Sequence, residues 1–264
     1  MNLFQALVLG ILQGISELIP ISSSGNLVIL PFLTGWEKQP LSFDIMIHAG
    51  TLLALIIYFR TLLSNLVIKF KDKNNLRLTK NLIITTLPAI IIGYFLSEKV
   101  KELSSFIPLI SIMLITIGLI FIFIENKAME QTKKISEVNL KDALKIGVFQ
   151  VLAFIRGTSR SGITLIGGIY SGLNVSESLK YSFLAGIMII SSTVFYQIFD
   201  FYKSGVQNIS IISLIIGFSA SFITSLVIIK YIFGFIKKKG LIMFGILRIL
   251  LGISILIIYI NKQC

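Results

Sequence analysis

Charge is scarce in this chain, acidic charge most of all. Only 14% of its 264 residues are charged, with 12 Asp and Glu against 24 Lys and Arg. Soluble domains carry roughly a quarter, so a separate soluble domain is excluded. A hydrophobic share of 55% and a mean hydropathy of +0.91 mark an integral membrane protein instead. The one cysteine, Cys264, excludes an internal disulfide and leaves the redox compartment unread. No cleavable leader is expected: Met1-Asn2-Leu3 lacks a basic start, and Glu17 and Pro20 interrupt the apolar run that would follow. The net charge of +12 reads as basic loops that hold topology and meet anionic lipid, with no nucleic-acid partner.

What is present is a set of long apolar runs. A helix needs about 20 apolar residues to cross the hydrocarbon core. Full spans are expected near 44–59, 82–97, 107–124, 182–199, 209–236 and 241–260. Two further segments, 3–35 and 143–173, are broken by hydroxyl and glycine residues and read as helix–loop–helix hairpins that enter and return. Cations crowd three loops: Arg60, Lys69, Lys71, Lys73, Arg77 and Lys80; Lys127, Lys133, Lys134 and Lys141; and Lys237, Lys238 and Lys239. They share the inner side only if both hairpins re-enter, the first from outside and the second from inside. Loops left outside are short and nearly balanced: Glu37/Lys38, Glu98/Lys99/Lys101/Glu102 and Asp200/Lys203. The expected fold is thus all-α and polytopic, one membrane domain over 1–264, with inverted repeats over 1–124 and 143–264.

The two broken segments echo each other at a fixed offset of 137 positions. Identical pairs are Ala6/Ala143, Leu7/Leu144, Gly10/Gly147, Gln13/Gln150, Ser22/Ser159, Ser24/Ser161, Gly25/Gly162, Ile29/Ile166 and Gly35/Gly172. Lipid cannot satisfy the backbone groups that a mid-span break exposes, so such breaks line a polar cavity enclosed by protein. Interrupted spans at corresponding places in two halves point to a binding site. The echo is asymmetric: Glu17 answers to Phe154, while Arg160 and Arg156 answer to Ser23 and Ile19.

In the first segment Gln13 and Glu17 stand four apart, on one helix face. An ionisable group at this depth costs roughly 2.5–3.5 kcal/mol on insertion scales and is a functional candidate by default; a glutamate reaching the interface is the plainer reading. Ser22-Ser23-Ser24-Gly25-Asn26 offers donors, acceptors and close backbone approach, suited to phosphate oxygens or a metal's water shell. A serine turn satisfying its own backbone stays open. In the second segment, Arg156-Gly157-Thr158-Ser159-Arg160-Ser161-Gly162-Ile163-Thr164 pairs guanidiniums with hydroxyls, a site for a multiply charged anion. Snorkelling to the basic face stays open for Arg156. A carboxylate, arginines and clustered hydroxyls together point to phosphoryl chemistry.

The Gln13-x-x-x-Glu17 pair, Pro20-x-Ser-Ser-x-Gly25, Gly157-x-Ser-Arg-Ser-Gly-x-Thr164, Phe43-Asp-x-x-x-His48-x-Gly-Thr-Leu-Leu-Ala with Tyr58-Phe-Arg60, and Phe244-x-x-x-Arg248 are similar to signatures of the undecaprenyl-diphosphate phosphatase family of the bacitracin-resistance type. The resemblance covers nearly the whole chain. It implies a multi-pass plasma-membrane enzyme whose pocket faces outside. Such an enzyme hydrolyses a polyprenyl diphosphate to the monophosphate and recycles the lipid carrier of cell-wall glycan synthesis. It also implies a divalent metal, Mg or Ca, and leaves room for a homodimer. Carried over by position, Glu17 is the catalytic or metal-side carboxylate, Ser23 the nucleophile and Arg160 the phosphate clamp. Gln13, Ser22, Ser24, Asn26, Ser159, Ser161, Thr164 and Arg248 join the substrate contacts, with snorkelling open for Arg248. The chain departs from the family pattern at Asn26, where histidine is usual, and asparagine cannot act as general base. Arg156 and Met188 stand in place of prolines, and Lys180 in place of a glutamate. His48, the one histidine, is expected to be satisfied within its helix rather than to serve as a substitute base. The rival reading is a polyprenyl-phosphate transporter or flippase, built on discontinuous helices without hydrolysis. Retention of Glu17, Ser23, Ser159 and Arg160 favours the phosphatase.

Overall fold

The computed structural model describes residues 1–103, 106–204 and 210–263. The charged positions Glu98, Lys99, Lys101, Glu102, Asp200 and Lys203, and the terminal Cys264, lie outside the residues whose side chains are described. The chain runs α1 (Leu3–Leu18), α2 (Ser23–Thr34), α3 (Leu41–Tyr58), α4 (Arg60–Ile68), α5 (Lys73–Leu103), α6 (Ile107–Glu130), α7 (Leu140–Val151), α8 (Arg160–Tyr170), α9 (Val175–Ser204), α10 (Ile211–Lys239) and α11 (Ile242–Asn261). Six of these helices, α3, α5, α6, α9, α10 and α11, are long and apolar enough to cross a membrane. The protein is an all-α, multi-pass membrane protein.

The broken segments fold as paired short helices. At 1.5 Å per residue, α1 reaches about 24 Å and α2 about 18 Å, short of the roughly 30 Å hydrocarbon core. Each pair, α1 with α2 and α7 with α8, packs on itself. Their starts are built alike. Asn2 Oδ1 accepts from the Gln5 N–H at 2.8 Å while Gln5 Oε1 accepts from the Asn2 N–H at 3.0 Å. Asn139 and Asp142, 137 positions on, make the same reciprocal box at 3.0 and 2.9 Å. Asn2/Asn139 is thus a further identity in the echo, and its reason is helix capping.

The other identities acquire physical reasons as well. α1 packs on α10 and α7 on α5, each through a glycine. A Cβ on Gly10 would stand 2.6 Å from the Gly217 carbonyl oxygen, and one on Gly147 would stand 2.7 Å from that of Thr85. Ala6 and Ala143 are fully buried beside these seams, and Leu7 and Leu144 face outward on the apolar surface. Along α10 the residues Ser213, Gly217, Ser221 and Ser225 recur every four positions, a stripe of small side chains that lets α1 and α3 approach closely. Hydroxyls add bonds across the seam: Ser221 Oγ donates to the Ile47 carbonyl at 2.7 Å and lies 2.9 Å from Thr51 Oγ1. At the centre α8 is buried along residues 161–169, enclosed by α7, α9 and α6.

The cation-rich stretch after the first span is largely helical rather than a loop. Arg60 opens α4, and Lys73, Arg77 and Lys80 lie in the first turns of α5. Arg77 and Asn81 reach the Val138 carbonyl at 2.9 and 2.8 Å, tying α5 to the linker ahead of α7. That linker closes on the second hairpin through a parallel bridge between Lys133 and Leu173 and a 2.5 Å Lys133–Asp142 ion pair.

The glycine seams are testable by thermal unfolding in detergent. Gly10→Val and Gly147→Val should each lower stability by about 1–3 kcal/mol through overpacking. Gly234→Ala, with open space around the added carbon, should not lower it.

Candidate active site

Both helix breaks turn on a serine in the left-handed region, Ser22 at φ 74° and Ser159 at φ 71°. Each accepts from the N–H of the glycine three residues on, Gly25 at 3.4 Å and Gly162 at 3.2 Å, and so caps the returning helix. Ser22 Oγ also accepts from the Gly157 N–H at 3.1 Å, joining one loop to the other. Gly157 itself has φ 94°, and a Cβ there would meet the Ile110 carbonyl at 2.5 Å, so glycine is required twice over.

Arg248 locks this junction. It is fully buried in α11 and donates to the Pro20 carbonyl at 2.7 Å, to the Thr158 carbonyl at 3.0 Å and, very closely, to the Gly157 carbonyl. Its guanidinium also lies 5.7 Å from the Phe121 ring centroid. Arg248, which the resemblance implies as a substrate contact, is here occupied with loop carbonyls. A loop carbonyl left without water at this depth takes the strongest donor within reach, and the fork is spent on three of them.

With the loops held, the chemistry-bearing side chains converge. Ser23 Oγ donates to Glu17 Oε2 at 2.5 Å, and Gln13 Nε2 donates to the same oxygen at 3.2 Å. Arg160 Nη2 pairs with Glu17 Oε1 at 2.7 Å, across 143 positions of sequence, while its Nη1 donates to the Ser182 carbonyl at 3.0 Å. Ser161 Oγ donates to the Glu17 carbonyl at 3.1 Å. Thr164 Oγ1 donates to the Arg160 carbonyl at 2.7 Å and lies 2.6 Å from Ser182 Oγ. A cavity of about 230 Å³ opens on this cluster. Glu17, Ser23, Ser24 and Arg160 line it, with Ala89, Ala153, Ile189 and Ile190 as apolar wall.

The sequence-based candidates thus fall into three groups. Glu17, Ser23, Ser24 and Arg160 face the cavity. Gln13, Ser22, Ser159, Ser161 and Thr164 are buried behind it and hold the loops and the facing residues. Asn26 and Arg248 line no part of the cavity; the Asn26 amide donates to the Ile21 carbonyl at 3.4 Å. Arg156 also stays off the cavity wall, and its Nη1 is buried without a hydrogen-bond partner.

Residues outside the candidate site set complete the wall: His48, Gln150, Phe154 and Thr193. His48 Nδ1 stands 2.7 Å from the Asp44 carbonyl. A carbonyl only accepts, so this bond requires the proton on Nδ1 and leaves Nε2 as the ring's remaining acceptor. The histidine is satisfied within its helix, as expected, and it also faces the cavity. Gln150 is the echo of Gln13; its Nε2 donates to the Thr85 carbonyl at 3.3 Å. That identity was the signal that could have found it.

The divalent metal that the resemblance implies would find two oxygen-bearing side chains here, Glu17 and Gln13. Gln13 Oε1 is buried with no hydrogen-bond partner, next to the Glu17 carboxylate. No group of three His, Cys, Asp or Glu side chains stands ready for a metal among the described residues. Any such ion would draw its remaining oxygen ligands from water and substrate, as magnesium commonly does.

Residues 6–254 match the model of the family described as "Bacitracin resistance protein BacA". The chain belongs to that family. It is 36% identical to the protein named "Undecaprenyl-diphosphatase" of Saccharophagus degradans over 258 residues, 96% of each chain. It is 36% identical to "Undecaprenyl-diphosphatase 2" of Oenococcus oeni, covering 97% of this chain and 98% of that one. With "Undecaprenyl-diphosphatase" of Neisseria meningitidis serogroup C it shares 34% identity over 97% of this chain and 95% of the relative.

If Arg248 is a loop clamp, Arg248→Ala should cost at least about 3 kcal/mol of stability, because three buried carbonyls lose a charged donor. Arg248→Lys, with one compact ammonium, should restore only part of it. The unfolding midpoint in detergent reads both.

Proposed function

We infer that this protein is an undecaprenyl-diphosphatase of the membrane, hydrolysing the lipid diphosphate to its monophosphate and inorganic phosphate. One observation carries the mechanism: a single buried carboxylate, Glu17, holds the Ser23 hydroxyl on one oxygen and the Arg160 guanidinium on the other. A carrier of lipid phosphate has no need of an activated hydroxyl beside an arginine clamp.

In the proposed reaction Arg160 leaves Glu17 for the oxygens of the terminal phosphate. The bidentate fork and the enclosed site make that exchange favourable. Freed from its cation, Glu17 becomes a stronger base and takes the Ser23 proton through Oε2. Ser23 Oγ attacks the terminal phosphorus, the bond to the bridging oxygen breaks, and the electron pair leaves on the lipid monophosphate. Water then attacks the phosphoserine: His48 Nε2 takes the water proton, the P–O bond to Ser23 breaks as Glu17 returns its proton to Ser23 Oγ, and inorganic phosphate leaves. His48 supplies here the imidazole that Asn26 cannot. The isoprenoid lies along the apolar wall formed by Ile189 and Ile190, between the hairpins.

Glu17 and Gln13 Oε1 would hold a divalent cation. Bound there, such an ion neutralises phosphate charge and lowers the pKa of coordinated water. The pocket is read as opening to the outer face, from the crowding of cations on the opposite ends of the spans.

Phosphate release from farnesyl or C55 diphosphate by purified protein, with and without divalent metal, tests the reading. Glu17→Ala and Arg160→Ala should each lose at least about 100-fold. A wild type that releases no more phosphate than these variants overturns the enzyme reading. Ser23→Ala retaining full turnover would assign the attack to water instead. His48→Gln should lower kcat with little change in KM, because it touches proton transfer and not the phosphate clamp.

A further inference from the structure

A second cavity, of about 440 Å³, shares no lining residue with the first. Its wall is Tyr58 and Phe59 at the end of α3, Thr61 and Leu62 at the start of α4, Lys180 on α9 and Phe233 on α10. Three features make it a built site. The aromatic wall is ordered by ring contacts: Tyr58 stacks on Phe233 at 6.2 Å between centroids and meets Phe59 edge-on at 4.9 Å. The helix break at Phe59 separates α3 from α4 and sets two hydroxyl-bearing residues, Tyr58 and Thr61, on the cavity wall at either side of it. Lys180 places an ammonium on this apolar wall within a helix that crosses the membrane.

Lys180 has no hydrogen-bond or ion-pair partner among the described residues. The carboxylate one turn earlier, Glu177, is turned to the Ile135 N–H at 2.9 Å. A cation on a transmembrane helix is costly unless paired, and it is a functional candidate for that reason. Surrounding charge has the same sign: Arg60 adjoins Tyr58 and Phe59, and Lys237, Lys238 and Lys239 end α10 one turn beyond Phe233. These basic helix ends mark the inner leaflet, where anionic lipids concentrate.

We propose that this cavity binds an anionic phospholipid of the inner leaflet, its phosphate on Lys180 with the Tyr58 and Thr61 hydroxyls and its upper chain against Phe59 and Phe233. The volume lies in the range of small-molecule pockets, roughly 300–1,000 Å³, and exceeds what a lone phosphate needs. The site also touches the catalytic machinery. Phe183 meets Phe233 edge-on at 5.8 Å, and its neighbour Ser182 supplies the carbonyl that holds Arg160 at 3.0 Å. Lipid on Lys180 therefore steadies the turn of α9 that orients the proposed phosphate clamp.

The test is thermal unfolding of the purified full chain in detergent, titrated with dioleoyl phosphatidylglycerol, with dioleoyl phosphatidylcholine, or with inorganic phosphate. Phosphatidylglycerol should stabilise the wild type and the other two should not. Lys180→Gln should weaken the phosphatidylglycerol effect about fivefold in midpoint concentration, the share of one lysine at a membrane surface. Lys180→Arg should keep it, and Lys38→Gln, at the opposite ends of the spans, should leave it unchanged. Tyr58→Leu, which removes a hydroxyl while keeping an apolar wall, should weaken it independently. Equal stabilisation by phosphatidylcholine or by inorganic phosphate, or an unchanged titration in both Lys180→Gln and Tyr58→Leu, overturns the proposal. Glu17→Gln should bind phosphatidylglycerol as the wild type does, so a failed phosphatase assay leaves this result standing.

Discussion

Two helices that stop in mid-membrane leave peptide groups that neither lipid nor regular structure can satisfy, and this architecture follows from how they are met. Ser22 and Ser159 cap the N–H groups of the returning helices, and Arg248 gathers the carbonyls of Pro20, Gly157 and Thr158. A fully buried guanidinium is expensive in an apolar helix. It is tolerated because those carbonyls would be as costly unpaired, and because one of them follows the negative end of α1. Each defect cancels the other. Only after that cancellation do the loops lie close enough for Glu17 to meet Arg160.

The fold was legible in the sequence because membrane helices are limited by length and polarity, and the six spans and two broken segments emerge near their expected places. The cation-rich stretch between 60 and 80 read as loop but is mostly helix. Lys, Arg and Leu are good helix formers, and charge in a sequence marks solvent rather than coil. Within the site, Glu17, Ser23 and Arg160 were found because charge and hydroxyls in apolar runs demand a reason. His48 and Arg248 show the limit of that logic. Each is a polar residue in an apolar helix, and the pattern cannot say which neighbour its face meets. His48 turned out to face the cavity, and Arg248 the loop carbonyls.

Identities in the echo point to a site, yet most of them are marks of folding. Gly10/Gly147 admit close helices, Ser22/Ser159 and Gly25/Gly162 form the caps, and Gly35/Gly172 allow positive φ where the returning helices end. Two pairs that differ, Glu17 against Phe154 and Ser23 against Arg160, have both members on the cavity wall, where only one member of the identical pairs Ser24/Ser161 and Gln13/Gln150 stands.

That distribution bears on why the halves share one chain. Two separate identical halves meeting about a two-fold axis would present the same patch to each other. Such a pair would set carboxylate facing carboxylate, or guanidinium facing guanidinium. An anhydride has unlike ends, one to be attacked and one to depart, and a wall of perfect symmetry cannot distinguish them. Joining the copies in tandem lifts that restriction. Each half keeps the glycines and caps its folding requires, while base and clamp are dealt to opposite sides of a single cleft.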